Sequence, residues 1–286
     1  MSEREAQELI TKADKKLASN SWFFGGNKFE EAAELYTQAG NIYKLNKRWK
    51  ESGDTFCKAA EAQLKNNERD EASQSFINAS KSYKKCSAED AIASLRQAIQ
   101  ILTDRGRFQS AAKYQSEIAE IYEVELVDLD KAMTAYEVAA DWYAGEESTA
   151  LANKCLLKVA TFAAQLGAYD KAIEKFEQVA NASLDNQLTK WSLKEYFLKA
   201  GLCHIATCDY VNAHNAVGRY CEMDVTFSST RECQFLQAIL DAVDSSDVEL
   251  FTNKVIEFDN LTKLDNWKTK ILLEIKKSIG QESSLM

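Results

Sequence analysis

Proline is absent from this chain of 286 residues. At an average usage of about 5%, a chain of this length would contain roughly fourteen prolines. Because proline breaks helix interiors and is favoured in the turns of irregular and β-rich proteins, its absence favours helices joined by short connections. The composition therefore predicts an all-α protein.

An excess of basic residues is missing too, since the formal net charge is −9 and the pI is near 5.0. A nucleic-acid ligand requires a basic surface that neutralises its phosphates, so we expect no nucleic-acid partner. No apolar run approaches the roughly 18 residues that span a bilayer, and the N-terminal segment is charged throughout. The seven cysteines are odd in number and form no CxxC pair, which favours reduced thiols. We expect a cytosolic chain that is neither secreted nor membrane-spanning.

Common catalytic motifs are missing as well, because GxxxxGK, GxGxxG, HExxH and GxSxG do not occur. Cys203, His204, Cys208 and His214 fall within twelve residues and could be considered as zinc ligands. Their spacing matches no zinc finger or ribbon, so buried thiols and ordinary helix histidines are the favoured interpretation. We expect no enzyme activity, no metal and no cofactor.

What the chain does have is an internal repeat. Small residues recur at steps of 19 to 21, and a large side chain follows most of them four residues later. Steps of four and three place such residues on one stripe of a helix, where the small residues let neighbouring helices approach. The small residues are Ala32, Ser52, Ala72, Ala91, Ala111, Ala132, Ala152 and Ala172, and the large ones are Tyr36, Phe56, Phe76, Leu95, Tyr136, Leu156 and Phe176.

Each period predicts one helix followed by a short loop that contains Asn, Ser, Asp or Gly. Such short loops make neighbouring helices antiparallel, and antiparallel helices of constant length stack into a right-handed, tetratricopeptide-like solenoid. The repeat register is lost after residues 221–232, so we expect a solenoid over residues 1–220 and a C-terminal helical bundle with a tail over residues 221–286. The predicted loops include residues 65–70, 85–90, 103–108 and 165–170.

Three lysines follow the period of the predicted helix pairs. Alternate helices of such a solenoid lie in the same layer, so residues about 40 positions apart can line up. Lys113, Lys154 and Lys194 each lie two positions after a small residue of the repeat, the last of them after Ser192. With helices some 8 to 10 Å apart, the lysines would form a stripe of roughly 20 Å.

The surroundings of this stripe favour binding. Arg105 and Arg107 lie in a loop that adjoins the stripe. Leu188 and Trp191 are close to Lys194 in the sequence. A local positive track on an acidic chain suits an elongated acidic partner, and apolar anchors among basic residues are typical of interface centres. The alternative is a solvated helix face on which the lysines line up by coincidence.

An unusual apolar stretch lies near the N-terminus, where Trp22, Phe23 and Phe24 precede Gly25 and Gly26. Three consecutive aromatic residues cannot share one face of a helix, and a Gly-Gly pair usually breaks the helix. An apolar loop of this kind usually marks a contact with something else. The alternative is that the three aromatic side chains fold back onto the first helix pair.

Many separate blocks carry a resemblance to a known family, among them KFEEAAELY, GDTFCKAA, DRGRFQSAAK, GEESTALANKCLLKVA, WSLKEYFLKAGLCH, STREC, EFDNLTKLDNWK and LLEIKKSIGQESSLM. In this order, over essentially the whole chain, they resemble the soluble NSF attachment proteins of the alpha/beta type. The resemblance implies a non-enzymatic adaptor that binds four-helix SNARE complexes after membrane fusion. It also implies that the chain recruits the hexameric ATPase NSF, which disassembles them. The alternative from the repeat alone is a generic tetratricopeptide-like scaffold for short peptides.

The resemblance also implies which residues make each contact. The implied SNARE-binding residues are Arg107, Lys113, Lys154, Leu188, Trp191 and Lys194. The implied NSF-binding residues are Asp209, Asp241, Asp244 and the penultimate Leu285. The implied contact with a membrane surface is the loop of Trp22, Phe23 and Phe24, which would make the protein cytoplasmic and peripherally membrane-associated.

The C-terminal end departs from the family pattern. Many relatives carry a run of acidic residues before the penultimate leucine, whereas this chain ends in GQESSLM with Glu282 as its one acid. Ser245 also stands where the family has a carboxylate. We therefore expect Leu285 to contribute more than the tail acid to the stimulation of NSF.

Overall fold

The computed structural model describes residues 2–19, 28–184, 186 and 189–283. These residues form fourteen α-helices and no strand, with short 3-10 turns at Lys190–Ser192 and Phe227–Ser229. The helices are α1 (Glu3–Ala18), α2 (Lys28–Leu45), α3 (Trp49–Lys65), α4 (Arg69–Tyr83), α5 (Ala88–Asp104), α6 (Phe108–Val124), α7 (Leu129–Gly145), α8 (Thr149–Gln165), α9 (Tyr169–Ser183), α10 (Leu193–Ala206), α11 (Tyr210–Met223), α12 (Arg231–Asp244), α13 (Val248–Leu261) and α14 (Asn266–Ser283).

The repeat found in the sequence is the buried stripe of these helices. Each predicted small residue from Ala32 to Ala172 is at most 4% exposed, and each large residue four positions later is at most 8% exposed. Small side chains allow close helix packing, and the large ones fill the space between helices. The prediction of an all-α chain built from tetratricopeptide-like helices is confirmed.

Several of the loops between the described helices share one backbone conformation. In each of these loops a residue two or three positions after the end of the helix has a positive φ. The residue that follows it donates its backbone N–H to a carbonyl oxygen of the last helical turn. Arg107 N donates to Leu102 O at 2.8 Å, and Ala168 N donates to Ala163 O at 2.8 Å. Such an ending turns the chain sharply without proline. The residues with positive φ in this series are Lys47, Asn67, Gly106, Val127, Glu147, Gly167 and Ser246.

The chain divides into two compact units, Met1–Ala152 and Asn153–Met286. In the first unit, the helices pack against one another in chain order, from α1 against α2 to α6 against α7. The second unit is organised around α10, which contacts α9, α11, α12 and α14. At its centre Phe197 stacks on Tyr220, with ring centroids 4.6 Å apart. The limits predicted from repeat regularity, 1–220 and 221–286, stay a prediction.

Among the described residues, every helix falls short of the length and apolar character that crossing a bilayer requires. Most of the helices are instead amphipathic, with one buried stripe and one polar face, whereas α10 is buried over most of its surface. A face of this kind can present charged side chains to a partner at fixed spacing along the helix.

Candidate functional site

Two arginines of the first unit, Arg105 and Arg107, lie together at the start of α6. Arg107 is the N-cap residue of this helix, and its Nη1 lies 3.2 Å from Oδ1 of Asp70. Arg105 Nη2 lies 3.0 Å from Oδ2 of the same carboxylate, which belongs to the first turn of α4. All three side chains are about half exposed. One carboxylate thus holds two guanidinium groups, so the cluster keeps a positive excess.

Lys113 lies six residues after Arg107, about 9 Å further along α6. Its side chain is exposed, and its Nζ lies 5.5 Å from the centroid of the Tyr114 ring. Within the described ranges Lys113 has no carboxylate partner, and the same holds for the exposed Lys154 on α8. These two ammonium groups are therefore available to an acidic ligand.

Lys194 on α10 is different, because it has an intramolecular partner. Its Nζ lies 2.9 Å from Oε1 of Glu232, whose side chain is 9% exposed. Glu232 belongs to the first turn of α12, where the Thr230 hydroxyl accepts a hydrogen bond from Cys233 N. Since a buried carboxylate is costly without a counterion, Lys194 stabilises this helix start as well as offering charge at the surface.

Trp191 lies three residues before Lys194, in the 3-10 turn that precedes α10, and is 86% exposed. A tryptophan with so much solvent contact is typical of a docking surface. The repeat register slips at this point. Ser192, which the sequence pattern places at a packed position, is exposed, and Leu193 is fully buried instead. Lys113 and Lys154 lie two positions after a buried small residue of the repeat. Lys194 lies two positions after Ser192, which is exposed, so the spacing rule does not account for its position.

Three acidic residues of the second unit lie at one end of the hairpin formed by α11 and α12. Asp209 caps α11 by accepting a hydrogen bond from Asn212 N at 3.0 Å. Asp244 ends α12, and its Oδ2 lies 2.7 Å from Nε2 of His214 on α11. This contact brings the first turns of α11 next to the last turn of α12, where Asp241 is also exposed. The structure thus gathers Asp209, Asp241 and Asp244 at one end.

Glu177 on α9 connects three helices of the second unit through its carboxylate. Its carboxylate accepts hydrogen bonds from Tyr220 Oη at 2.6 Å and Arg219 Nη2 at 2.7 Å, and it lies 3.3 Å from His204 Nε2. Burial alone would raise the pKa of Glu177, but the contacts with His204, Tyr220 and Arg219 outweigh it and lower the pKa to about 2. Glu177 is thus a charged link between α9, α10 and α11.

A model of the family described as "Soluble NSF attachment protein, SNAP" matches residues 4–280 of this chain. The chain belongs to the soluble NSF attachment protein family. Among its relatives, the beta-soluble NSF attachment protein of Bos taurus is 48% identical, over 97% of this chain and 94% of its own length. The alpha-soluble NSF attachment protein of Mus musculus is 45% identical, over 98% of this chain and 97% of its own.

The fold of this family member also resembles a solved structure outside the family. A signal-transduction ATPase with numerous domains from Pyrococcus horikoshii, which carries a tetratricopeptide repeat sensor, aligns with a TM-score of 0.50. It shares 17% identity, and the alignment covers 97% of this chain and 44% of that protein. At such low identity the likeness concerns the helical-repeat fold alone.

Several residues singled out by their resemblance to soluble NSF attachment proteins lie outside the described residues. They are Trp22, Phe23, Phe24, Leu188 and Leu285. Their predicted contacts stay predictions.

The polar partners described above could not be found by sequence reasoning. Asp70 and Glu232 lie more than 30 residues from their basic partners, and carboxylates are too common in this family member for such pairs to stand out. The two histidines contact different carboxylates, His204 that of Glu177 and His214 that of Asp244. They lie near Cys203 and Cys208 in the sequence because α10 and α11 are consecutive helices, and each histidine has its own carboxylate partner.

Proposed function

We propose that this chain is a non-enzymatic adaptor that binds assembled four-helix SNARE complexes and recruits NSF, which then disassembles them after membrane fusion. The observation that carries the proposal is the family match over residues 4–280, with relatives named as NSF attachment proteins along almost the whole chain. A relative from Schizosaccharomyces pombe, named a probable vesicular-fusion protein, is 45% identical and adds support for a role in fusion.

The basic residues support the SNARE-binding half of the proposal. A SNARE bundle is a long coiled coil with an acidic surface, which lysines can hold by electrostatics without reading a detailed sequence. Lys113 and Lys154 carry exposed charges with no carboxylate partner among the described residues. Arg107 adds charge from a cluster with a positive excess, and Lys194 lies beside the exposed Trp191. We include Leu188 as an apolar contact on the strength of the family resemblance.

The acidic end of the α11–α12 hairpin supports the NSF-binding half. Asp209, Asp241 and Asp244 offer carboxylates at one end of a rigid helix pair, which suits a basic surface on the ATPase. We propose that Leu285 stimulates ATP hydrolysis by NSF. Removing Leu285 and Met286 is expected to lower this stimulation and to leave SNARE binding intact.

We further propose a weak membrane contact through Trp22, Phe23 and Phe24. A few aromatic side chains at a bilayer interface give reversible attachment and raise the local concentration of the adaptor on membrane-bound SNARE complexes. Changing Phe23 and Phe24 to serine is expected to impair disassembly of liposome-embedded complexes and to spare soluble ones. Equal loss on both substrates would mean that the pair belongs to the core.

The decisive experiment is reconstitution with purified chain, SNARE complex, NSF and ATP, in which disassembly is followed over time. We expect disassembly well above the control without the chain; a rate equal to that control would overturn the proposal. Capture of isolated short peptides in preference to the assembled bundle would favour the generic tetratricopeptide-like scaffold instead.

A charge-reversal pair tests the binding surface. At about 1 kcal/mol for each reversed contact, Lys113→Glu combined with Lys154→Glu should weaken SNARE binding roughly thirtyfold. The matched control is Lys12→Glu, which reverses an exposed lysine on α1. Equal binding by the double variant and the wild type would remove these lysines from the interface.

A further inference from the structure

Two cysteines face each other across the α11–α12 hairpin. Cys221 is near the end of α11 and Cys233 is near the start of α12, and their Sγ atoms are 3.5 Å apart. Both are free thiols. Since a disulfide bond is about 2.05 Å long, the sulfurs need to approach by only about 1.5 Å to become bonded.

The two thiols differ in their access to solvent. Cys233 is fully buried, whereas Cys221 is partly exposed. Burial, together with the hydrogen bond to Cys221, raises the pKa of the Cys233 thiol. A small oxidant therefore meets Cys221 first, and Cys233 waits beside it as a protonated thiol.

We propose that Cys221 and Cys233 are a modification site at which hydrogen peroxide produces an intramolecular disulfide. In the first step the Cys221 thiol releases its proton and the thiolate attacks one peroxide oxygen, so that the O–O bond breaks and Cys221 becomes a sulfenic acid. The departing hydroxide takes up the released proton and leaves as water. In the second step the Cys233 sulfur attacks the Cys221 sulfur, the S–O bond breaks, and the oxygen leaves as a second water with the Cys233 proton. Two thiols are oxidised and one peroxide is reduced to two waters.

The position of the pair gives the bond a structural consequence. It would close a loop between residues 12 positions apart and join the two helices at the end opposite to Asp209 and Asp244. It also adjoins Glu232, the partner of Lys194. A cross-link of this length restricts the unfolded chain, so the oxidised protein should resist denaturation better than the reduced one.

The sequence makes the bond easy to detect. Trypsin cleaves after Arg219, Arg231 and Lys254, so the two thiols fall in separate peptides, 220–231 and 232–254, each with a single cysteine. Cys86 and Cys208 are exposed and would react with peroxide on their own or join two molecules. The test therefore uses the full chain with Cys86→Ser and Cys208→Ser, in which the pair is unchanged.

After treatment with hydrogen peroxide, non-reducing mass spectrometry should show peptides 220–231 and 232–254 linked, with the loss of two hydrogen atoms, and dithiothreitol should release them. The thermal midpoint of the oxidised protein should rise by about 5 °C, and Cys221→Ser should abolish both the link and the rise. Recovery of Cys221 only as sulfinic or sulfonic acid, or linkage of either peptide to a different cysteine, would overturn the proposal. Because the linked peptides are sought in a background that keeps both thiols, the result does not depend on the folding of the Cys221→Ser variant.

Discussion

Replacing Glu177 with glutamine tests whether one carboxylate holds three helices of the second unit together. The carboxylate of Glu177 is 26% exposed and is contacted by Arg219, Tyr220 and His204. Glutamine keeps the size and one acceptor oxygen but removes the charge, and its amide turns a donor towards partners that also donate. We expect Glu177→Gln to fold with the same helices and a lower free energy of unfolding.

The magnitude follows from the pKa of this group. Its ordinary value of 4.5 falls to about 2 in the folded chain. At about 1.4 kcal/mol for each tenfold change in proton affinity, this difference amounts to about 3 kcal/mol. Because the carboxylate is partly exposed, solvent screening reduces the expected loss at pH 7 to about 2 kcal/mol.

Because folding lowers the pKa of Glu177, its contribution to stability depends on pH in the acid range. A carboxyl group whose pKa is lowered by folding stabilises the folded state above its unfolded pKa, and this stabilisation is lost as the pH falls through the folded pKa. The difference between wild type and Glu177→Gln should therefore be constant near neutral pH and shrink between pH 4.5 and about 2.

The assay is urea denaturation followed by circular dichroism at a series of pH values. The matched control is Glu174→Gln on the same helix, where the side chain is 67% exposed and, within the described part of the chain, pairs with Lys175. This control should lose less than about 0.5 kcal/mol at any pH. If Glu177→Gln were as stable as the control at pH 7, or if its deficit did not shrink in acid, the argument for Glu177 would be refuted.

Other predictions concern close packing, loop strain and surface charge. Gly53→Ala places a Cβ where it overlaps the Tyr83 ring, so it should lower the free energy of unfolding by about 1–3 kcal/mol in thermal denaturation. Gly218→Ala, which meets nothing within 4 Å, should instead stabilise by about 0.5 kcal/mol. Val127 has a φ of 53°, so Val127→Gly should raise the urea midpoint, with a gain of about 1 kcal/mol. Asp70→Asn releases two arginines and should tighten proposed SNARE binding about threefold in low salt, measured by titration; unchanged affinity would contradict this.

The helices and their packed stripe could be predicted because the information is local. Helices that pack at a constant period carry a small residue and, in most of them, a large one four positions later, as Ala72 and Phe76 illustrate. The helix ends were predictable for the same reason. The predicted loop at 65–70 overlaps the observed connection between α3, which ends at Lys65, and α4, which begins at Arg69. The terminal residues of the predicted loop belong to the two helices.

The polar contacts between helices could not be predicted in this way. Glu177 and Tyr220 are 43 residues apart and Lys194 and Glu232 are 38 positions apart, so nothing in a short window connects them. The pairing of Cys221 with Cys233 depends on the angle at which α11 turns into α12, which periodicity does not determine. Patterns of helix spacing predict which face is buried, whereas these contacts depend on how particular helices meet.

The basic residues proposed to bind SNARE complexes are not equivalent, and this difference decides how their variants must be interpreted. Lys194→Glu would place a second carboxylate beside the buried Glu232, so it would destabilise the start of α12 by about 1–3 kcal/mol and weaken binding whether or not Lys194 touches the partner. Lys113 and Lys154 have no such intramolecular role among the described residues. A loss of SNARE binding in variants of these two lysines, with unchanged thermal stability, can therefore be attributed to the interface, and a loss in variants of Lys194 cannot.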